Sequence, residues 1–391
     1  MKISNPKSKI SNLAVGIVCY PSVGGSGIVA TQLGQELAKL GHKIHFISYD
    51  PPFRLKPDQK NIFFHKVTLN EYSLFKYPDY TLPLSVKMVE VAQKYKLDVL
   101  HVHYAVPHAT AGLLAKAIAN EQKIKFPHLV TTLHGTDITL LARDKNLMPV
   151  IKYSIESSCG VTAVSDSLKK ETCDVLKMEN GIQVIHNFYN PKKASKTRAG
   201  MRKELGVKND VFLAVHLSNL RPVKRIPDLL KIISKLKKYP KIKLLILAGG
   251  DFKPYETLVK KLKIQNQTII KKNVLDIENY IIAADAGLYT SEEESFGLGI
   301  LECMAYGKPV ISTNAGGIPE FMQNGKTGFL FKIGDVNGMA KKLAELSQDE
   351  SLALRLGRQA AARAAEFSGA KIVQKYLNYY YKIMKECKGK K

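Results

Sequence analysis

Short runs of Val, Ile and Leu alternate with amphipathic stretches of helical period along nearly the whole chain. The runs Leu13 to Cys19, Lys43 to Ser48, Val99 to His103, Leu129 to Leu133 and Val161 to Val164 read as strands. A second series follows at Phe212 to Leu217, Lys243 to Ala248, Gly287 to Thr290 and Pro309 to Thr313. Strands that are apolar along their whole length are buried on both faces, so they predict parallel sheets covered by helices. Between Asn190 and Val207 the alternation gives way to Pro, Lys, Ser, Arg and Gly. The pattern therefore predicts an α/β chain of two doubly wound, Rossmann-like domains facing a cleft, residues 1–190 and 191–370. The final segment carries Ile372, Val373, Tyr376, Leu377, Tyr380 and Ile383 at helical spacing. A helix over 371–391 is expected to pack back on the first domain. No internal repeat interrupts this reading.

Composition narrows the class. The 391 residues are 45% hydrophobic, enough for two cores. No apolar run reaches the roughly 18 residues of a membrane-spanning helix, and the basic start at Met1 to Ile10 leads into no signal-type stretch. A cytoplasmic protein is expected. Cys19, Cys159, Cys173, Cys303 and Cys387 are scattered and never spaced Cys-x-x-Cys, which argues against a disulfide framework or a structural zinc site and for small buried hydrophobes.

The formal net charge is +25, and of 59 basic residues only nine are arginine, leaving fifty lysines. Base readers and phosphate clamps lean on arginine, so nucleic acid is not an expected partner. Diffuse lysine leaves open a steering field for anionic substrates, a weak association with acidic membrane surfaces, and an oligomer. The densest cluster, Lys192 to Lys208, reads as a solvated linker, and Lys388, Lys390 and Lys391 as a frayed tail.

Two stretches carry chemistry. The first strand runs into Pro21-Ser22-Val23-Gly24-Gly25-Ser26-Gly27, ahead of a helix expected from about Ile28 to Leu40. Glycines before a helix free backbone N–H groups to face an anion. Gly25-x-Gly27-x-x-Ala30, with Asp50 after the second strand, also approximates a nicotinamide-dinucleotide fingerprint. By itself this loop does not choose between a phosphate or substrate site, close packing and an NAD-dependent oxidoreductase. In the second half, Glu294-Ser295-Phe296-Gly297-Leu298-Gly299-Ile300-Leu301-Glu302 follows an apolar strand and opens a helix. The spacing places Glu302 about two turns along, near the face of Glu294, where one carboxylate can meet sugar hydroxyls and the other a ribose around a phosphate-facing helix end, the alternative being two solvent-facing helix glutamates.

With those paired glutamates, the chain resembles the retaining, two-domain nucleotide-sugar glycosyltransferases of family 4, which have the GT-B fold. Their other features occur in order: His134-Gly135-Thr136-Asp137, Lys224, Ala248-Gly249-Gly250 and Gly316-Gly317-Ile318-Pro319-Glu320. The resemblance implies an acceptor-side first domain and a nucleotide-sugar-binding second domain. It implies Lys224, Glu294 and His134 at the reacting centre: Lys224 on the diphosphate, Glu294 on the donor sugar, His134 beside it. Gly24, Gly25, Ser295, Phe296, Gly297 and Glu302 would hold the donor, Glu302 through its ribose. The family commonly has an arginine five residues before its phosphate lysine, where this chain has Asn219, and Arg221 is a candidate replacement.

Cys19 to Gly27, Pro52-Phe53-Arg54-Leu55, Phe75-Lys76-Tyr77-Pro78, His101-Val102-His103-Tyr104, Thr131 to Ile138 and Val215 to Asn219 are similar to one branch of that family. That branch transfers N-acetylglucosamine from UDP-N-acetylglucosamine to L-malate, opening bacillithiol synthesis. The similarity implies malate near Ser26, Tyr104, Thr132, Asn219 and Arg221. Hydroxyl donors and a forked guanidinium suit an acidic acceptor. His101 and His103 alternate on a strand without a third ligand, and no Asp-x-Asp occurs, so neither a metal nor a resident cofactor is expected. The mechanism implied is front-face attack through an oxocarbenium-like ion pair, with the leaving phosphate taking the proton. A membrane-surface enzyme with a lipid-linked acceptor is the alternative.

Overall fold

A computed structural model of the protein describes residues 12–21, 24–55, 59–69, 79–179 and 181–387. Ser22, Val23 and Phe75 to Pro78, quoted above, lie outside the described residues, as do Met1 to Ile10 and the terminal Lys388, Lys390 and Lys391. The chain divides into two compact units. The first takes residues up to Val164, Lys169–Ile185 and the chain from Val373; the second takes Ser165–Leu168 and His186–Ile372.

The first unit holds β1 (Ala14–Val18), β2 (Lys43–Ser48), β3 (Ile62–Lys66), β4 (Val99–His103), β5 (His128–Leu133), β6 (Gly160–Ala163) and β7 (Ile182–Val184). They form one parallel sheet in the order β3-β2-β1-β4-β5-β6-β7. The second unit holds β8 (Phe212–Ser218), β9 (Ile242–Ala248), β10 (Thr268–Lys272), β11 (Ala286–Tyr289), β12 (Val310–Thr313) and β13 (Gly328–Phe331). Its parallel order is β10-β9-β8-β11-β12-β13. In each sheet the chain winds outward from one strand and returns to its other side, between β1 and β4 and between β8 and β11. Such switch points leave a crevice beyond the carboxyl ends of the strands, where ligands bind.

All nine expected strands are present. The four that were not expected, β3, β7, β10 and β13, are the four sheet edges. An edge strand pairs on one side and keeps partial exposure, so it needs no continuous apolar run. Thr268–Lys272 is half-buried with an exposed lysine, and Ile182–Val184 is buried only at Ile182. Central strands such as Val99–His103 are buried at every position.

Three expectations are corrected. The first helix spans Gly25–Lys39, so Gly25, Ser26 and Gly27 form its opening turn rather than a loop before it. The glutamate-bearing helix opens only at Leu298 and runs to Ala305, which puts Glu302 a little over one turn along it and leaves Glu294 in the preceding loop. Gly297, with φ of 101°, turns the chain into that helix from a conformation that residues with a side chain rarely adopt. The stretch Lys192 to Lys208 is not a solvated linker. It contains the helix Arg198–Glu204, and Arg202, 1% exposed, donates to the carbonyls of Ala283, Lys208 and Val211 and to Asp285. Its lysines and Arg198 are surface, but Arg202 is core because both terminal guanidinium nitrogens meet acceptors, with only Nε left unpaired.

The last helix spans Gly369–Glu386. Tyr376, Tyr380 and Ile383 are buried, and within the first unit the Tyr379 hydroxyl donates to the carbonyl of Val161 at 3.1 Å.

Candidate active site

In the first unit the candidate residues gather beyond the carboxyl ends of β1, β4 and β5. Gly24 caps the first helix with no side-chain acceptor, leaving N–H groups of its first turn outward. Ser26, half-buried, accepts a hydrogen bond at 2.8 Å from the Tyr104 hydroxyl. Tyr104 follows β4 with φ of 85°, a conformation that costs a bulky residue about 1–2 kcal/mol and is held by its N–H bond to the Thr132 carbonyl at 2.9 Å. Its ring also lies 5.2 Å from that of His134.

His134 directly follows β5 and is joined to His103 on β4, Nε2 to Nδ1, at 2.7 Å with the rings stacked. Asp137 is fully buried and sets this corner: Oδ1 accepts from the N–H groups of Gly135 and His134, and Oδ2 from Ala105. Burial still lifts its carboxyl to about 6. Burial, reinforced by the neighbouring His108, lowers His134 to about 3, so at neutral pH it is an uncharged hydrogen-bonding group.

Behind His103 the ring of His101 stacks at 4.5 Å. His101 is held at both nitrogens, Nε2 to the Thr132 hydroxyl at 2.6 Å and Nδ1 to the Tyr380 hydroxyl at 2.7 Å. The alternating histidines thus serve hydrogen bonds to Thr132, Tyr380 and His134. Thr132 itself is fully buried, with its hydroxyl shared between His101 and Thr162. It stands behind the site rather than at an open strand end, because inward and outward positions along a strand depend on which face the neighbouring elements cover.

In the second unit β8 ends in a loop shaped by its own polar groups. His216 Nε2 lies 2.8 Å from the Ser218 hydroxyl, whose oxygen accepts from the N–H of Leu220. Leu220 and Arg225 both take positive φ, 55° and 49°. Between them Arg221, half-buried, begins a single turn closed by the N–H of Lys224 on its carbonyl at 2.8 Å. Asn219 is exposed.

Lys224 Nζ meets Glu294 Oε1 at 2.6 Å, and the Ser291 hydroxyl donates to the same oxygen at 2.9 Å. Ser291, which the sequence did not single out, therefore orients Glu294 and leaves Oε2 for a ligand hydroxyl. The backbone of this loop is clamped by Gly316-Gly317. The N–H of Gly317 donates to the Glu294 carbonyl at 2.9 Å, and a Cβ on Gly316 would lie 2.0 Å from that carbonyl oxygen. Ser295 is half-buried. The Phe296 side chain is committed to packing, stacked 4.8 Å from Phe321, so only its backbone is offered to a ligand. Glu302 is 5% exposed on its helix. Glu320, the end of the same glycine motif, accepts from the N–H groups of Asp166 and Ser167 and from His186.

The arrangement suits an anionic ligand carrying hydroxyls: a lysine whose ammonium keeps two donors after binding Glu294, a carboxylate held by one oxygen, and a helix opening at a left-handed glycine.

Residues 197–363 match the family model described as glycosyl transferases group 1, and residues 23–193 match glycosyltransferase family 4. The chain is 44% identical to N-acetyl-alpha-D-glucosaminyl L-malate synthase of Bacillus anthracis, over 97% of this chain and 99% of that protein. It is 26% identical to alpha-monoglucosyldiacylglycerol synthase of Acholeplasma laidlawii, over 87% and 89%. Its fold is that of Anabaena HepE, solved with UDP and glucose, at a TM-score of 0.77 and 19% identity, covering 95% of this chain and all of that one. A Rickettsia africae glycosyltransferase superposes equally, with a TM-score of 0.77, 23% identity and 96% and 99% coverage. No helix among the described residues is long and apolar enough to cross a membrane.

Proposed function

For a chain that belongs to glycosyltransferase family 4, we propose transfer of N-acetylglucosamine from UDP-N-acetylglucosamine to the hydroxyl of L-malate with retained configuration, the opening step of bacillithiol synthesis. The observation that carries the reading is the Lys224–Glu294 pair at the switch point of the second sheet, beside a helix that bears the buried Glu302. The relative at 44% identity is named for that donor sugar and that acceptor. A nucleotide-sugar donor goes with a cytoplasmic site of action.

In this reading Glu302 accepts from the ribose hydroxyls. Lys224 and the N–H groups around Gly297 take the diphosphate, and Glu294 Oε2 accepts from the sugar. His134, neutral, offers a hydrogen bond beside the sugar without a charge that would oppose a cationic transition state. The bond from the anomeric carbon to the β-phosphate oxygen breaks as the malate hydroxyl oxygen bonds from the same side, and the hydroxyl proton passes to the departing phosphate. Preorganised charge at Lys224 stabilises the developing anion, so no metal is required. Ser26, Tyr104, Asn219 and Arg221 meet the acceptor, Arg221 as a fork on one carboxylate. Thr132 contributes from behind, its hydroxyl holding His101 and its carbonyl the Tyr104 backbone.

The test is a donor-by-acceptor screen in excess EDTA with mass detection of product. N-acetylglucosaminyl-malate is expected. Transfer to diacylglycerol with none to malate would overturn the acceptor, and activity that returns only with added magnesium or manganese would overturn the metal-free step.

A further inference from the structure

The sequence scatters its cysteines, yet folding brings two of them together with a histidine far from the candidate active site. His128 opens β5, Cys159 directly precedes β6, and Cys387 lies one residue beyond the last helix. Their ligand atoms all lie within 4.8 Å of one another, and all three residues are half-buried. Cys387 Sγ is 3.8 Å from the Cys159 carbonyl. This is the amino-terminal edge of the sheet, opposite the carboxyl ends that carry Tyr104 and His134.

The approach is built rather than incidental. The last helix is pinned to β6 by the Tyr379 hydroxyl on the Val161 carbonyl. Tyr379 and Ile383 lie over Gly160, where a Cβ would come within 2.7 Å of the Tyr379 oxygen and 2.8 Å of an Ile383 methyl. Any larger residue at 160 would push the helix away, and Cys387 with it.

We propose that His128, Cys159 and Cys387 form a binding site for a thiophilic divalent cation of the zinc class, with a water in the fourth position. Two thiolates and an imidazole are a donor set that zinc takes tetrahedrally, at about 2.3 Å for sulfur and 2.0–2.1 Å for nitrogen. Tetrahedral bonds of those lengths separate the donors by about 3.6–3.8 Å, so each needs to move by no more than about an ångström. Half-burial gives the ion a path in while limiting competition from water. Bound there, it ties the end of the last helix to β5 and β6, stabilising the helix whose Tyr380 holds His101. The ion has no part in the transfer reaction, and the site stands independently of the function proposed above.

The experiment uses the full chain, reduced with a phosphine and stripped of metal, titrated with Co²⁺ and then Zn²⁺. One Co²⁺ per chain is expected, with the visible bands of a tetrahedral ion and near-ultraviolet charge transfer from thiolate, both erased by Zn²⁺. Cys159→Ser and Cys387→Ser should each weaken binding at least tenfold and reduce the charge transfer, and His128→Gln should weaken binding with the thiolate signal retained. Without variants, Zn²⁺ should protect Cys159 and Cys387, but not Cys173, from alkylation as read by peptide mapping. Absence of a saturable tetrahedral spectrum overturns the proposal. So does a spectrum unchanged in the Cys159→Ser, Cys387→Ser double variant, or a Cys159–Cys387 disulfide forming in air from a chain that takes up no cobalt when reduced.

Discussion

Gly316→Ala tests whether the Glu294 loop must stand where it does. At Gly316, φ is +51°, and an alanine in that conformation costs about 1 kcal/mol for its backbone alone. The added Cβ would lie 2.0 Å from the Glu294 carbonyl oxygen, and 2.9 Å from its carbonyl carbon. Cβ atoms keep beyond 3.0 Å of such neighbours, so the two strands of chain must separate by about an ångström. That movement breaks the Gly317 N–H bond to Glu294, about 1 kcal/mol more. The variant should lose about 2–3 kcal/mol of second-unit stability, the sum of those two effects with some residual overlap. Carried to the carboxylate, an ångström displaces Glu294 from Lys224 and Ser291, and misplacement of that size costs about 100-fold in turnover. Gly325→Ala is the control: its φ is +73°, but nothing lies within 4 Å of the new Cβ. It should lose about 1 kcal/mol and keep its activity. The assays are steady-state transfer kinetics and urea unfolding of both variants. Equal turnover in the two would refute the argument, since a displaced Glu294 would then be immaterial to the reaction.

Other perturbations address separate residues. Glu302→Ala should weaken UDP binding by about 1.5–3 kcal/mol, the value of a charge-assisted hydrogen bond, measured by calorimetry on a variant of native circular dichroism. Arg221→Lys keeps the charge and loses the fork, so the malate KM should rise with UDP affinity nearly unchanged. A donor-side defect with a normal malate KM would instead put this arginine on the diphosphate. His103→Phe preserves a buried ring and removes the 2.7 Å partner of His134, so kcat should fall by about tenfold or more while UDP affinity holds. Acid should destabilise the fold. Burial lowers His101 and His134 to about 3 and His108 and His216 to about 4, from an unfolded value near 6.5. The unfolded chain therefore binds more protons between pH 6.5 and 3, and stability drops as pH falls through that window. Asp137, raised to about 6, opposes this between pH 6 and 4, but it is one group against four. A urea midpoint at pH 5 equal to that at pH 7.5 would contradict the histidine assignment.

Hydrophobic pattern alone determined the fold class and all nine central strands, because a strand buried on both faces is mostly apolar, its few polar side chains, such as His101 and Thr132, being hydrogen-bonded inside. The same pattern was silent on β3, β7, β10 and β13, whose outer sides pair with no further strand among the described residues and whose sequences are correspondingly mixed. Of the candidate site, the sequence offered Ser26, Tyr104, His134 and Lys224 through their likeness to a family's motifs, and Glu294 through its spacing from Glu302 ahead of a helix. Partnerships were decided by the tertiary structure. Tyr380 reaches His101 across 279 residues, Ser291 and Lys224 share one oxygen of Glu294, and Thr132 is turned inward by elements remote in sequence. Arg202 was legible only as one more charge in a basic stretch until the carbonyls that surround it were in place. Cys159 and Cys387 behave likewise, spaced like chance along the chain and brought together because Gly160 lets the last helix lie close. Local chemistry is written residue by residue, whereas the pairing of distant groups depends on which surfaces pack. That is a property of the folded chain alone.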